Sequence, residues 1–372
     1  MLPPYVGILV NDKLHCRIPT GKTKHERVDF YVEAGKRFGF TPCFFRIHDV
    51  KAGRAHVKAY VKSTDGKFVL TTIPSPQVIH NRAIYPGIRE FRKLQSWAGE
   101  GKQLFNRWNR YGKLTIHNLL MADPAFIPHL PRTCRATPAN VRSLMKLFDS
   151  IIVKPNKSSI GRGVMKLDRT PTGWSLEYPV TLSVRNKAWR TAKFSGSRLP
   201  RILRRRLLKG KYIVQQCLPL ATYKGRPFDL RVSVQKGVSG EWQITGYVAK
   251  VASKSCFLTN VAQGGKVHRL EDILQEEYPR LKQKKVIKNI YDFSLRIASH
   301  LGNNLPDLAD LGLDIGITAD GNPLFIECNG KDQRYSFREA GMLEEWKATY
   351  ENPMAYAKYL LAQCRKVQSH NK

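Results

Sequence analysis

Two short apolar runs, residues 313–318 and 324–328, are joined by Ala319-Asp-Gly-Asn-Pro323 and read as a β-hairpin with turn residues at its tip. This hairpin constrains the chain more than any other segment because its strand ends are polar. Asp314 sits near the start of the first strand, and Glu327 and Asn329 end the second. A two-residue turn at Asp320-Gly321 would pair Ala319 with Asn322, and counting back sets Asp314 opposite Glu327. Glu327 and Asn329, two apart, share a face. Three oxygen ligands on one side of a sheet, flanked by apolar residues, suit a hard divalent cation such as Mg²⁺. The plainer alternative is that these are polar strand ends wetting into solvent, but it gives no reason for all three to converge.

With 372 residues, 42% apolar and 10% aromatic, the chain is long enough for two or three domains with real cores. No run approaches the roughly 18 apolar residues of a membrane span. The N-terminal ten residues lack the basic region and apolar length of a signal peptide, so residues 6–10 are expected to form a first buried strand. Seven scattered cysteines without a C-x-x-C pair fit a reducing cytosol rather than a disulfide or zinc framework. Lys and Arg number 63 against 29 Asp and Glu, a net +34 that concentrates anions around the protein. Fitting partners are nucleotide phosphates, an acidic polymer or wall glycan, or nucleic acid. No zinc-finger, RNA-recognition or helix-turn-helix signature is present, which argues against sequence-specific nucleic-acid reading.

Along the chain, strands predicted at 6–10, 42–47, 57–61, 68–72 and 78–80 alternate with a helix over 24–38, the pattern of a small α/β domain. Residues 102–148 read as helical, with Thr137-Pro138 as N-cap and first turn of a second helix. Strands follow to about residue 194, and then an amphipathic basic helix that ends at Gly210. Further strands are predicted at 212–217, 228–235, 242–251 and 257–260, helix over 271–303, the hairpin, and helix again over 338–368. The expected class is α+β, with domains at 1–100, 101–210 and 211–372.

Several segments could carry chemistry. Lys154 closes an apolar strand and is followed by Ser158-Ser159-Ile-Gly161-Arg-Gly163. A strand-end lysine beside a small-residue loop offers a point charge and backbone N–H groups to phosphate oxygens. The plainer reading is a hairpin turn with a solvent-facing lysine. A P-loop is absent: Thr20-Gly21-Lys22-Thr23 fails because Cys16 stands where the first glycine belongs, so that segment reads as loop. Asp229, Arg231 and Ser233 share one face of an alternating strand. A mid-strand arginine requires either a neutralising carboxylate, from Asp229 or elsewhere, or an anion site. Lys250 ends the next strand, and Asn260 leads to Gly264-Gly265, where glycines allow close backbone approach to a ligand. The histidines show no metal spacing, and no G-x-S-x-G elbow occurs.

In this order, the Lys154 strand and glycine loop, the Tyr212-Ile-Val-Gln215-Gln216-Cys-Leu218-Pro strand, Asp229-Leu-Arg231 and Asp314…Glu327-Cys-Asn329 resemble the ATP-grasp superfamily. More narrowly, Phe105-Asn-Arg-Trp, Gln215-Gln216, residues 225–236 and Asn260…Gly264-Gly265 resemble the YheC/YheD group of endospore coat-associated proteins. The resemblance covers residues 102–335; before them the N-terminal α/β domain matches a pre-ATP-grasp domain only in kind. It implies that Lys154 and Lys113 hold ATP phosphates under a loop containing Ser158, Ser159, Gly161 and Gly163. Gln215, Gln216 and Leu218 would line the adenine pocket, where many relatives carry acidic residues. Asp314, Glu327 and Asn329 would bind Mg²⁺, and Arg231 would stabilise the transferring phosphoryl group. Lys250, Asn260, Gly264 and Gly265 would complete the acceptor side. The implied activity is an ATP-dependent ligase joining a carboxylate substrate to an amine through an acyl-phosphate. Two alternatives are an ATP-grasp kinase and a coat-associated protein binding nucleotide or an acidic polymer. The implied location is cytoplasmic, or with the spore coat of a spore-forming bacterium.

Overall fold

The computed structural model describes residues 3–51, 53–85, 87–181, 187–196, 198–254 and 257–370, and these build an α+β protein with three six-stranded sheets. In the first, β1 (Tyr5–Leu9), a single-turn helix α1 (Asp12–His15), α2 (Val28–Phe38), β2 (Thr41–Phe45), β3 (His56–Lys62), β4 (Phe68–Pro74), β5 (Val78–Asn81), α3 (Ile88–Gly99) and β6 (Gln103–Phe105) follow in chain order. The spatial order is β4-β3-β2-β1-β5-β6, parallel around β1 and antiparallel from β2 to β4. Alternate residues of β1 enter separate cores: Val6 and Ile8 on one face, Leu9 on the other. The helix predicted over 24–38 begins only at Val28, because Lys24 adopts a left-handed φ of 57° and Glu26 turns to Arg82. Helix α3, absent from the predicted elements, buries only Leu94 and Trp97 and leaves its charged remainder outside.

The second sheet holds the glycine loop. After α4 (Lys113–Met121) come β7 (Thr133–Arg135), α5 (Pro138–Leu147), β8 (Ser150–Pro155), β9 (Met165–Thr170), β10 (Gly173–Thr181), β11 (Lys187–Phe194), α6 (Arg201–Leu208) and β12 (Tyr212–Gln216), ordered β11-β10-β9-β8-β12-β7 and antiparallel throughout. The expected Thr137 cap is present: its Oγ1 accepts the Asn140 N–H at 3.1 Å. Ile151, Val153, Met165, Leu167, Leu176 and Val214 form the apolar face on which α5 and α6 pack. The region predicted as helical, 102–148, also contains strands β6 and β7. Strand β12, beyond residue 210, belongs to this middle sheet.

The third sheet combines β13 (Thr222–Tyr223), β14 (Arg226–Lys236), β15 (Trp242–Val251), β16 (Lys266–His268), α7 (Leu270–Glu277), α8 (Gln283–Asn304), β17 (Asp310–Ile317) and β18 (Pro323–Asn329), in the order β16-β15-β14-β17-β18 with β13 on β14. The stretch expected to be helical, 271–303, is filled by α7 and α8. Residues 257–260 are not a strand; Asn260 instead opens a turn in which its carbonyl accepts from Gln263 and Gly265. Leu230, Val232, Leu313 and Ile315 face the core under α8, while Asp229, Arg231 and Ser233 face the other way. The chain ends with α9 (Tyr335–Glu339) and α10 (Leu343–His370), whose Tyr350 and Met354 return to the core of the first sheet. No helix among the described residues is long and apolar enough to cross a membrane.

The hairpin departs from its predicted turn while keeping its predicted pair. Thr318, not Ala319, pairs with Asn322, through Thr318 N–H to Asn322 O at 2.9 Å, leaving a three-residue loop with Gly321 at φ 77°. That loop shifts the register by one, so Ile315 meets Phe325. A bulge at Ile326 then shifts it back, and Asp314 faces Glu327 after all.

Candidate active site

A cavity of about 400 Å³ lies between the middle and third sheets. Its roof is the face of the middle sheet opposite α5 and α6, with Ile152, Lys154, Lys166 and Gln215. Its wall is the crossing segment 216–220, and its floor the polar face of β14, β15, β17 and β18. Alternation along each strand therefore separates a dry side from a reactive side.

The floor is an array of paired charges. Lys250 Nζ lies 2.9 Å from Asp229 Oδ1 and 2.8 Å from Asp314 Oδ1, and Thr259 Oγ1 donates to Asp229 Oδ2 at 2.6 Å. Arg231 reaches Asp314 at 3.3 Å and Asp332 at 3.6 Å, so the carboxylates that neutralise it come from other strands and loops, not from Asp229. Burial pushes the Asp314 carboxyl up, but Arg231 and Lys250 outweigh it and hold the group below its usual range. Burial dominates at Asp229 and raises it. The Ser233 hydroxyl donates to Asp332, which extends the array beneath the floor.

The phosphate end is different. The Lys154 ammonium is buried, lines the cavity, and makes no hydrogen bond or ion pair with any described residue. Burial lowers the group to about 8; the nearby Glu327 and Asp314 carboxylates oppose this without forming an ion pair, and Lys113 adds to it. Lys113 Nζ donates to the Ser158 carbonyl at 2.7 Å and pairs with Glu327 at 3.3 Å, tying the glycine loop to the floor. The loop is latched a second time where Gln263 Nε2 donates to Ile160 O at 2.8 Å. A Cβ on Gly161, at φ 68°, would meet Leu258 Cδ1 at 2.8 Å and Asn260 Oδ1 at 2.9 Å, so only glycine fits beneath the 257–260 segment.

Among the described residues no three His, Cys, Asp or Glu gather as a metal cluster, so the candidate set is the two carboxylates and one amide already named. The Asn329 carboxamide tests the fit. Turned one way, its nitrogen donates to Glu327 Oε1 and its oxygen accepts from Arg231 Nη1, both at 3.3 Å. Turned the other, its oxygen faces the Glu327 carboxylate, the orientation that a cation between them would favour. The donor set of oxygens fits a hard divalent ion.

Most of the predicted site residues line this one cavity: Lys113, Lys154, Ser158, Ser159 and Gly161 above; Gln215, Gln216 and Leu218 at the wall; Arg231, Lys250, Asn260, Asp314, Glu327 and Asn329 below. Three do not line it. Gly163 packs toward Pro155 and Tyr212, Gly264 closes the Asn260 turn at φ 92°, and a Cβ on Gly265 would strike Thr259 O at 2.1 Å. Their glycine character serves turns, not a ligand. Gln215 and Gln216 spend their side chains on β7 and the residue before it: Gln215 Nε2 donates to Thr133 Oγ1 at 2.9 Å, and Gln216 Oε1 accepts from Arg132 N–H at 3.3 Å.

Not foreseen were Thr259 and Asp332 on the floor, Phe257 in the cavity lining, and a buried network joining this floor to the first sheet. Asp310 receives Arg82 at 3.1 Å, Arg334 at 2.8 Å and Gln235 at 2.8 Å; Arg82 also holds Glu26 and the Asp332 carbonyl. Asn106 clamps the hairpin ends, donating to Asp310 O at 2.6 Å and Gly330 O at 2.7 Å. Its place in Phe105-Asn-Arg-Trp was the one available signal.

Comparison with known proteins agrees with this geometry. The family described as "YheC/D like ATP-grasp" matches residues 101–360. Endospore coat-associated protein YheD of Bacillus subtilis is 24% identical over 307 residues, 77% of this chain; the chain covers 64% of that protein's length. YheC of the same organism is 23% identical over 356 residues, covering 92% of this chain and 94% of that protein. Among solved structures, a RimK domain ATP-grasp protein from Sphaerobacter thermophilus has a TM-score of 0.51 at 14% identity, covering 96% and 99% of the two chains. The VanG D-Ala:D-Ser ligase of Enterococcus faecalis also has a TM-score of 0.51, at 8% identity over 95% and 99%. These likenesses show the ATP-grasp fold.

Proposed function

The chain belongs to the YheC/D-like ATP-grasp family, and from that premise we propose that it is an ATP- and Mg²⁺-dependent ligase joining a carboxylate to an amine through an acyl-phosphate. The observation that carries this reading is Lys154, a buried ammonium without a partner that lines a cavity opposite two carboxylates. An unpaired buried cation is costly unless an anion comes to it, and a nucleotide phosphate is the anion this geometry suits. Lys113 would bridge the same phosphates and the loop. A divalent ion held by Asp314, Glu327 and Asn329 would neutralise phosphate charge.

In the proposed reaction a substrate carboxylate oxygen attacks the γ-phosphorus and ADP leaves. The amine nitrogen then attacks the acyl carbon and inorganic phosphate leaves. Arg231, fixed by Asp314 and Asp332, would stabilise charge on the transferring group, and Lys250, fixed by Asp229 and Asp314, would keep the floor in register. Association with the endospore coat, named for both relatives, is the corresponding proposal for location.

The test is ADP release with Mg-ATP across amino acids, peptides and acidic polymers, with hydroxylamine to trap acyl-phosphate. ADP with hydroxamate is expected, and Glu327→Gln should lower turnover by about 10²-fold or more. Phosphorylated product without hydroxamate would replace the ligase by a kinase. No ATP binding or turnover, with Glu327→Gln behaving as the parent, would remove the enzymatic reading.

A further inference from the structure

The two faces of the middle sheet differ in what they carry. One face roofs the cavity; the other is covered by α5 and α6. Residues 133–211 contain 19 Lys and Arg against three Asp and Glu, and the helix-bearing segments 133–148 and 195–211 contain ten Lys and Arg and no acid. Arg135, Lys146, Arg201, Arg204, Arg205 and Lys209 are exposed there, and none makes an ion pair among the described residues. Some exposed cations elsewhere find acids, as Arg37 with Glu351 and Lys288 with Asp292, and many do not; what sets this layer apart is that its two segments hold ten cations and no acid.

We infer that this helical layer is a docking surface for a phosphodiester polymer, held through its backbone without regard to sequence. Seven of the ten cations are arginines, whose forks match phosphate oxygens. A charge-dense polymer bound to them releases its condensed counterions, which drives association without apolar contact. The layer contains one aromatic residue, Phe148, which packs on the sheet core, so it offers no platform for stacked bases. A polypeptide partner would need apolar anchors, yet Leu203 and Leu207 are buried beneath α6. The same inward turn leaves the layer no continuous apolar face for a lipid surface; only Leu147 and Leu208 protrude, one at the C-terminal end of each helix. Because the layer lies behind the roof, occupying it leaves the cavity untouched, and the surface stands or fails apart from the proposed ligase chemistry.

The experiment is fluorescence anisotropy of the full chain with a labelled 20-nucleotide oligo-dT, without ATP, at several salt concentrations. Polyglycerol phosphate, polyglutamate and phosphatidylglycerol vesicles serve as competitors. Arg201→Gln, Arg204→Gln and Arg205→Gln together should weaken binding at least tenfold and flatten the slope of log K against log salt by about 2, at roughly 0.7 per phosphate contact. Lys282→Gln, Lys284→Gln and Lys285→Gln, removing equal charge from the start of α8, should stay within twofold of the parent. Competition by polyglycerol phosphate as well as by unlabelled DNA would support recognition of the phosphodiester backbone; competition by DNA alone would overturn it, since bases or sugars would then be read. Equal effects of the two triple variants, absence of binding, or stronger competition by polyglutamate or vesicles would overturn the inference.

Discussion

The floor of the cavity and the helical layer behind the middle sheet are both rich in charge, and they use it in opposite ways. On the floor, Lys250 is answered by Asp229 and Asp314, Arg231 by Asp314 and Asp332, and beneath them Arg82 and Arg334 by Asp310 and Glu26. Burial makes each of these pairings obligatory, since a charge left alone out of water is strongly destabilising. On α6, Arg201, Arg204 and Arg205 stand in water, where solvation stabilises them without a partner. The buried array, four cations against five carboxylates, has no positive surplus, so the net +34 resides outside it, on charge that is available to other molecules.

The largest consequence falls on the buried side. Asp310 is fully buried, and Arg82, Arg334 and His80 surround its carboxylate and hold it ionised far below the ordinary range. Asp310→Asn would leave two guanidiniums short of charge at the junction of the first and third sheets. Stability should fall by roughly 3–5 kcal/mol, read from urea unfolding. A loss below about 1 kcal/mol would mean that Glu26 alone neutralises both arginines, and the contrast between the two regions would narrow.

Sequence reached the floor further than it reached its supports. The hairpin was legible because period-two alternation and turn residues are local signals. The Asp314–Glu327 pair survived only because a three-residue loop and the bulge at Ile326 offset each other, and neither is written in the apolar pattern. The partners of Arg231 and Arg82 were not legible. Asp332, Asp310 and Glu26 lie on other elements, and spacing along the chain carries no record of such meetings. Gly163, Gly264 and Gly265 were grouped with the ligand contacts because a turn and a ligand make the same demand on backbone freedom. The acid-free layer was visible only as a basic amphipathic helix, since its joining to α5 depends on the sheet between them.

Lys154 stands between the two extremes: buried like the floor, unpaired like the layer. Its ammonium is lowered to about 8 by burial, so above that pH the free protein holds mostly the neutral amine. Phosphate favours the charged form, so nucleotide binding should take up a proton there. Mg-ATP affinity should be flat below pH 7 and fall above pH 8, by at most about tenfold per pH unit. Calorimetry at pH 8 in two buffers of different ionisation enthalpy measures the uptake directly. Lys154→Met should bind more weakly and lose the proton uptake. A parent whose affinity is level from pH 7 to 9.5 would show that Lys154 is not in contact with phosphate.

The smallest effect belongs to the exposed side. Replacing Arg201, Arg204 and Arg205 by glutamine removes three charges from a helix whose packing depends on Leu203 and Leu207, not on the arginines. Arginine and glutamine have similar helix propensity, so the backbone is indifferent to the exchange. No ion pair is lost among the described residues, and relief of repulsion between the neighbouring cations favours the variant slightly. Unfolding free energy should therefore stay within about 0.5 kcal/mol of the parent, or rise, with the gain disappearing as salt screens the repulsion. A loss above about 1 kcal/mol would reveal carboxylate partners that hold these arginines in place, and the layer would then resemble the floor.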